Sequence, residues 1–297
     1  MTSQHNDPAK NLQTVIAEPA ETPNDWSKER ILSEIIHRVG HDIGNPLTAI
    51  ISLASIIEYS ATAAATGKPL LANDKLHDYA SSMMSEAWKI SHISERMVMM
   101  FSDRRGNIAP CSVGETAERA VQRLRSRHHL HDMSIESDFF FAPTAARVMA
   151  DSDQLSLLIS ELLLNAYFFQ GPPAEPETER VIRCSLEQDG KFVRLTFRNT
   201  LPEAHTGNLA DLFLPLRSGT EKSPNTKGTR TGLGLAAVSA IVLRHYGKIS
   251  IEQQSDGTTH EFIVRVLLPA AGDFHGNETY GIDTEETDPE KEGNESL

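Results

Sequence analysis

Position 41 is a histidine and position 42 an aspartate, with Asn45 and Pro46 just beyond, inside the otherwise aliphatic stretch HRVGHDIGNPLTAI at residues 37–50. A neutral imidazole beside a carboxylate can act as a nucleophile, because the acid accepts or orients the proton on the other ring nitrogen. With Ile43 set at zero and about 100° per residue, Leu32, Ile36, Val39, Leu47, Ile50 and Ala54 fall within roughly 40° of it, whereas His41 falls near 160° and Asn45 near −160°. His41 and Asn45 therefore face away from the apolar stripe, and Asp42 sits beside them at about −100°. Pro46 lacks the N–H that would bond the Asp42 carbonyl, so the helix is loosened just past the histidine. A His-Asp pair on a surface helix has little specificity alone, and His37, which no acid follows, is assigned to an incidental surface position.

A second group of residues suits phosphate chemistry. In ELLLNA, Glu161 and Asn165 are four apart, so a helix projects both from one face. An amide beside a carboxylate can hold a hydrated Mg²⁺ and its phosphates, although an ordinary helix with an exposed polar pair has the same spelling. KGTRTGLGLAAV places Gly228, Gly232 and Gly234 at the opening of a helix. Small residues there let backbone N–H groups approach phosphate oxygens, and the helix dipole favours their charge. Between these elements, LFLPLRSGTEKSPNTKGTR carries Arg217, Lys222, Lys227 and Arg230, and a basic, polar segment beside a phosphate site suits a lid.

Two kinds of structure must hold these groups. From Trp26 to about Ser60 the apolar spacing is helical, and Leu76, Ala80, Met83, Ala87, Ile90, Met97 and Met100 mark a second helix, capped by Asn73 or Asp74. Two helices with one apolar seam each cannot enclose a core, so the hairpin is expected to dimerise into a four-helix bundle. Packing of the hairpin on its own downstream domain is the alternative. Beyond Ile108 the pattern predicts a helix from Gly114 to about Arg127, a strand in DMSIESDFFF and a helix through ELLLNA. It continues with a hairpin about Asp189-Gly190, a glycine-rich turn opening a helix closed by Gly247 at its C-cap, and a second hairpin. Helices with an antiparallel-rich sheet make an α+β layer. The expected organisation is a disordered segment at 1–26, a helical hairpin at 27–106, a mixed domain at 107–270 and a disordered acidic tail at 271–297.

The formal charge of −13 owes much to that tail, and an acidic balance argues against a nucleic acid partner. No apolar run approaches the roughly 20 residues of a membrane helix, and no basic-then-apolar leader opens the chain, so no membrane insertion is expected. Cys111 and Cys184 lack metal-ligand spacing and suit a reducing cytosol as inert thiols.

Taken together and in order, GHDIGNPLTAI, ELLLNA, LFLPL and GTRTGLGLAAV resemble the phosphoacceptor, N, F and second glycine boxes of the two-component sensor histidine kinases, over roughly residues 30–269. The resemblance implies a dimerising phosphotransfer hairpin followed by a Bergerat-type α/β sandwich that binds ATP with Mg²⁺. It implies transfer of the γ-phosphoryl group to His41, then to an aspartate on the receiver domain of a response regulator, with phosphatase activity a further option. By the same resemblance Asp42 assists proton transfer, Asn45 orients water against the regulator's phosphoaspartate, and Glu161 belongs to the catalytic set. Asn165 is the Mg²⁺ ligand, through the phosphates. Arg217, Lys227, Gly228, Gly232, Gly234 and Leu235 match nucleotide-binding positions.

One motif departs from the family. The adenine box, Asp-x-Gly-x-Gly, is replaced by LTFRNTLPEAHTG, with Asn199 at the Asp position and Leu201 and Glu203 where the glycines belong. An Asn carbonyl still accepts from the adenine amino group, as an uncharged and weaker partner. The expected protein is a cytoplasmic, homodimeric histidine kinase. About 26 residues precede its first helix, too few for a folded input module. Input is then expected from a separate sensory partner, the dimer or the chain ends. The rivals are a histidine phosphotransfer protein with a degenerate ATP-binding domain, and a non-catalytic dimer that binds a response regulator.

Overall fold

The computed structural model describes residues 11–16, 28–65, 72–101, 106–128, 133–137, 146–170, 180–217, 232–255 and 259–272. The acidic tail, most of the N-terminal segment and the greater part of the lid, with Lys222, Lys227, Gly228 and Arg230, lie outside the described residues.

Helices α1 (Lys28–Ala65) and α2 (Asn73–Phe101) pack as a hairpin, and Pro46 lies within α1 without ending it. The apolar stripe of α1 divides in two. Ile35 and Val39 are buried with Ile93 of α2, while Leu32, Ile36, Leu47 and Ile51, further round the same helix, are exposed. One edge of the stripe closes the hairpin and the other is left open, and Met84 and Val98 of α2 are exposed as well. Contrary to the sequence expectation, Leu32–Ala63 is long and apolar enough to cross a membrane by length and composition. Its polar residues, His41 and Asp42 among them, are too few and too spread to lower the average over a long window.

The remaining elements form a second layer structure. They are β2 (Ala109–Ser112), α3 (Val113–His128), β3 (Met133–Ser137), β4 (Arg147–Ala150), α4 (Ser152–Phe169), β5 (Arg180–Asp189), β6 (Phe192–Leu201), α5 (Gly234–Arg244), β7 (Lys248–Ser255) and β8 (His260–Pro269). With β1 (Asn11–Ile16), the large sheet has the order β1-β7-β8-β6-β5-β3, parallel only between β3 and β5. A small antiparallel pair, β2 with β4, joins it through a bridge from Val148 to Ala270. Leu158, Ile159 and Leu163 of α4 and Val238 of α5 are fully buried with Ile182, Leu195, Ile251 and Val266 of the sheet. Alternation puts Arg194 on the same strand as Leu195 and Arg265 beside Val266, where they pair with Glu187 and Glu252. One sheet face is thus a helix-covered core and the other a charged surface, the expected α+β sandwich.

Two local readings change. Residues 11–16, assigned from composition to a disordered segment, form β1, paired antiparallel with β7 from Asn11↔Ser255 to Ile16↔Ser250. The cause is nonlocal: β7 offers an unpaired edge, and Val15 packs against the core, which a search for local periodicity does not register. At the end of α5 it is Tyr246, at φ 56, that takes the left-handed conformation, not Gly247. Gly247 is required for space, since a Cβ there would collide with the Leu267 carbonyl. Both cysteines are free thiols, Cys184 buried and Cys111 half-buried, with the Cys111 Sγ donating to the Ala150 carbonyl.

His245, at the end of α5, ties the layers together. Its Nε2 accepts from the Asp151 N–H at 2.9 Å and its Nδ1 donates to the Ile241 carbonyl at 2.7 Å, so the bonded ring is neutral. Burial first, with the Arg244 charge adding, lowers its pKa against the opposing pull of Ile241 and Asp151. Protonation is therefore disfavoured in the folded chain. The stabilisation is complete above the unfolded histidine value of about 6.5 and is lost as pH falls below it. Urea unfolding is expected to show wild type weakening from pH 7.5 to 5.5, whereas His245→Gln is weaker at pH 7.5 by about 1–3 kcal/mol and loses that part of the pH slope.

Candidate functional site

The His41 side chain is 68% exposed and its Nδ1 lies 3.6 Å from Asp42 Oδ1. The Asn45 amide reaches the same nitrogen at 3.4 Å from one turn along, as the helical wheel requires. With the amide turned to present its oxygen, Asn45 accepts from Nδ1–H with Asp42 close beside it, and Nε2 keeps the lone pair for attack. Asp42 Oδ2 is buried and has no hydrogen-bond partner among the described residues, so the acid keeps capacity to receive a proton. The structure therefore brings His41, Asp42 and Asn45 into one group.

The phosphate-type residues also converge, from three elements. Helix α4 begins at Asp151, whose Oδ1 accepts from the N–H groups of Asp153 and Gln154 at 3.0 Å each, a standard cap. Three turns on, Glu161 and Asn165 meet the start of α5. A Cβ placed on Gly234 would lie 2.8 Å from Glu161 Oε2 and 3.4 Å from both polar atoms of the Asn165 amide. Among the described residues no side chain caps α5, whose preceding residue is Leu233, and its first turn carries no acid. The first amides, including those of Gly234 and Leu235, are thus left for an anion. Asn165 Nδ2 is buried without a partner among the described residues. An orphaned amide facing an uncapped helix start fits a Mg²⁺–phosphate group, with Oδ1 as the metal ligand and Nδ2 as a donor to phosphate.

Gly232 belongs to the same site for a backbone reason. It has φ +67, and a Cβ there would stand 2.7 Å from the Leu216 carbonyl carbon. Leu216, itself at φ 67, donates its N–H to the Gly232 carbonyl at 2.9 Å. The two chain ends that flank residues 218–231 are therefore pinned together, with Arg217 exposed beside them.

The segment around Asn199 departs from the expected adenine box in a specific way. Asn199 is buried and its Nδ2 donates to the Thr200 carbonyl at 3.1 Å, leaving Oδ1 as an acceptor. Strand β6 stays in the ladder through Leu201, which pairs with His260. The loop beyond is held where His205 N–H donates to Gln253 Oε1 at 2.8 Å. Side chains at 201 and 203 thus extend a strand and its loop at the place where glycines would leave room.

Sequence reasoning missed two residues. Both Glu161 oxygens are held from α2: Arg96 donates Nε to Oε1 at 2.6 Å and Nη2 to Oε2 at 2.8 Å, and His92 Nε2 lies 2.7 Å from Oε1. Glu161 is 0% exposed. Burial would raise its pKa, but the charges and hydrogen bonds of Arg96 and His92 outweigh it and hold the carboxyl at about 2. The sequence does carry a signal for this in a basic pair four residues apart on α2, flanking the buried Ile93.

The model of the histidine kinase-, DNA gyrase B- and HSP90-like ATPase family matches residues 150–271, the segment that holds α4, Asn165, Gly232 and α5. The sensor protein VanS of Enterococcus faecium is 24% identical over 252 residues, covering 83% of this chain and 59% of VanS. The chain is similar to the two-component sensor histidine kinases, and its residues 150–271 carry the ATPase domain named above. The sensory histidine kinase/phosphatase NtrB of Rhodobacter capsulatus is 25% identical over 244 residues, or 78% of this chain and 61% of NtrB. The chain thus spans less than two thirds of the length of either relative. The structure of the Acinetobacter baumannii histidine kinase AdeS shares its fold at a TM-score of 0.50 and 18% identity, over 77% of this chain and 97% of that one. The likeness in fold thus extends across both the hairpin and the ATPase lobe.

Proposed function

We propose that the chain is a cytoplasmic, homodimeric histidine kinase that phosphorylates His41 from Mg-ATP and passes the phosphoryl group to an aspartate on a response regulator's receiver domain. One observation carries the reading: an unpartnered Asn165 amide faces the uncapped start of α5, in a chain whose His41 is exposed and backed by an acid. The relatives named as sensor kinases support it. When bound, Mg²⁺ supplies charge neutralisation along the triphosphate. The chain's part is positioning. Asn165 orients the metal, the first amides of α5 hold phosphate oxygens, and Asn199 Oδ1 accepts from adenine. Asp42 draws the proton on His41 Nδ1 as Nε2 forms the new bond to phosphorus and ADP departs. Asn45, beside the imidazole, is placed to orient a water against a regulator's phosphoaspartate, which supports phosphatase activity.

The proposed boundaries are a phosphotransfer hairpin at 27–106 and a nucleotide lobe at 107–270. The exposed apolar edge of α1, with Ile36 at 58% and Ile51 at 57%, is the proposed dimer seam, and it accounts for the apolar length of that helix without a bilayer. Sensory input through a separate protein is part of the same proposal. A second reading, a phosphotransfer protein with a degenerate lobe, is favoured by the continuation of β6 through Leu201.

Nucleotide titration and γ-labelled ATP separate the two. Wild type is expected to bind Mg-ATP and to acquire acid-labile label. Asn165→Ala is expected to bind about tenfold or more weakly, since a lost bond to a charged group costs roughly 1.5–3 kcal/mol. Equal affinity in both proteins, or none in either, would remove the nucleotide site, and label on His41 only from a phosphorylated regulator would establish the relay.

A further inference from the structure

Glu161 stands beside the start of α5, where phosphates are expected, yet it is gripped from the other side by the hairpin. The guanidinium of Arg96 takes both oxygens in a fork, and His92 adds a third contact from the preceding turn of α2. Both basic side chains are largely covered. Around this ion group lies a small apolar contact. Ile93, between His92 and Arg96, is buried with Leu233 at the head of α5, with Ile35 and Val39 of α1, and with Met97, Met100 and Leu216 at the margin. The chain leaving α2 is fastened to the same side of the lobe, where Asn107 N–H donates to Asp151 Oδ2 at 2.7 Å.

This contact sets where the lobe stands relative to its own phosphoacceptor. With the lobe in place, the His41 side chain remains 68% exposed, so nothing in the lobe covers it. Ile35 and Val39, which share the cluster with Leu233, lie near −80° and −40° on the α1 wheel, roughly 120° or more from His41. The glycine-rich helix start is therefore docked at the α2 side of the hairpin while the imidazole looks elsewhere.

We propose that Arg96 and His92 are positioning residues that lock the nucleotide lobe onto α2 through Glu161, and that this lock opens before a phosphoryl group reaches a histidine. The inference rests on the kinase reading above and adds to it a contact outside all the motif boxes. Its physical basis is a two-position equilibrium: the ion group and the Ile93–Leu233 contact favour the docked position, and any shift of α2 against α4 that separates Arg96 from Glu161 leaves a buried carboxylate uncompensated, so the lobe leaves as a unit. The trigger is movement of α2 within the hairpin, which separates Arg96 from Glu161.

The test uses the full chain as wild type, Arg96→Ala, Arg96→Lys and His92→Gln, with two independent readouts. Amide hydrogen exchange reports docking without reference to activity. Arg96→Ala is expected to speed exchange about tenfold or more across the α2–α5 contact, at residues 88–98 and 233–243, with the β5–β8 sheet unchanged. Acid-labile labelling reports transfer. At saturating Mg-ATP its rate is expected to rise several-fold in Arg96→Ala with KM for ATP unchanged. Arg96→Lys, which keeps the charge but not the fork, should fall between, and His92→Gln, which keeps a donor, should stay near wild type. Unchanged exchange at the contact, or slower labelling by a lobe that still binds nucleotide, would overturn the lock. Loss of protection throughout the sheet in Arg96→Ala would also overturn it, since Arg96 would then hold the fold and not the docking. Absence of label in every protein, wild type included, would instead strike the kinase reading, and exchange alone would then decide the lock.

Discussion

His41→Gln is expected to abolish acid-labile phosphorylation, a loss of about a thousandfold or more, while leaving nucleotide affinity and thermal stability near wild type. Glutamine has similar reach and polarity but no nucleophilic nitrogen lone pair, so nothing replaces Nε2. The side chain is 68% exposed, and its close polar contacts are Asp42 and Asn45, both on the same helix. Surface substitutions of this kind change stability by about 0.5 kcal/mol or less. The expected result is therefore a clean separation: full ATP binding, a normal melting curve and no label. Residual label at another residue would assign the acceptor elsewhere and leave the His41–Asp42 pair as an ordinary exposed helix surface. Asp42→Asn provides the graded companion. It keeps the shape and a hydrogen-bonding oxygen but loses the charge that draws the Nδ1 proton, so labelling slows without disappearing.

The prominence of His41 follows from local rules. A period of 3.6 residues, applied to Leu32, Ile36, Val39 and Ile43, places the imidazole off the apolar stripe, and the observed exposure agrees. The Glu161–Asn165–Gly234 convergence is legible for the same reason. A four-residue spacing shares a helix face, and a glycine at a helix start signals close approach. What the sequence leaves open depends on partners distant along the chain. Glu161 reads as a group near the metal or as an exposed polar residue of an ordinary helix, and only the fold brings Arg96, 65 residues away, against it. Strand β1 has no local pattern, because the edge of β7 supplies what defines it. At the end of α5 the expectation that glycine takes the left-handed conformation is reversed. The ladder between β7 and β8 needs Gly247 for clearance, which leaves Tyr246 to adopt φ 56. The adenine segment was legible as a departure, but its consequence, a strand continued to Leu201, needed the register with β8.

Gly232→Ala carries the second large expectation, and its geometry gives two separate penalties. The backbone at 232 has φ +67, a region that costs a residue with a Cβ roughly 1–2 kcal/mol. The new methyl would stand 2.7 Å from the Leu216 carbonyl carbon, 2.8 Å from its Cα and 3.0 Å from the Arg217 nitrogen. All three are backbone atoms, so no rotamer change can yield, and relief requires the two strands of chain to part. Forced repacking of that kind adds about 1–3 kcal/mol. Parting them breaks the Leu216 N–H bond to the Gly232 carbonyl and shifts Leu233, which is wholly buried beside Ile35, Val39 and Ile93. The expected outcome is a stability loss of roughly 2–5 kcal/mol in urea unfolding, together with at least about tenfold weaker Mg-ATP binding by whatever remains folded. Trimming the facing side chain with Leu216→Gly should not rescue nucleotide binding in the double variant, because the obstructing atoms are main chain. Rescue would place the constraint in the Leu216 side chain instead, and the start of α5 would then be held by apolar packing and not by the pinned pair of backbones.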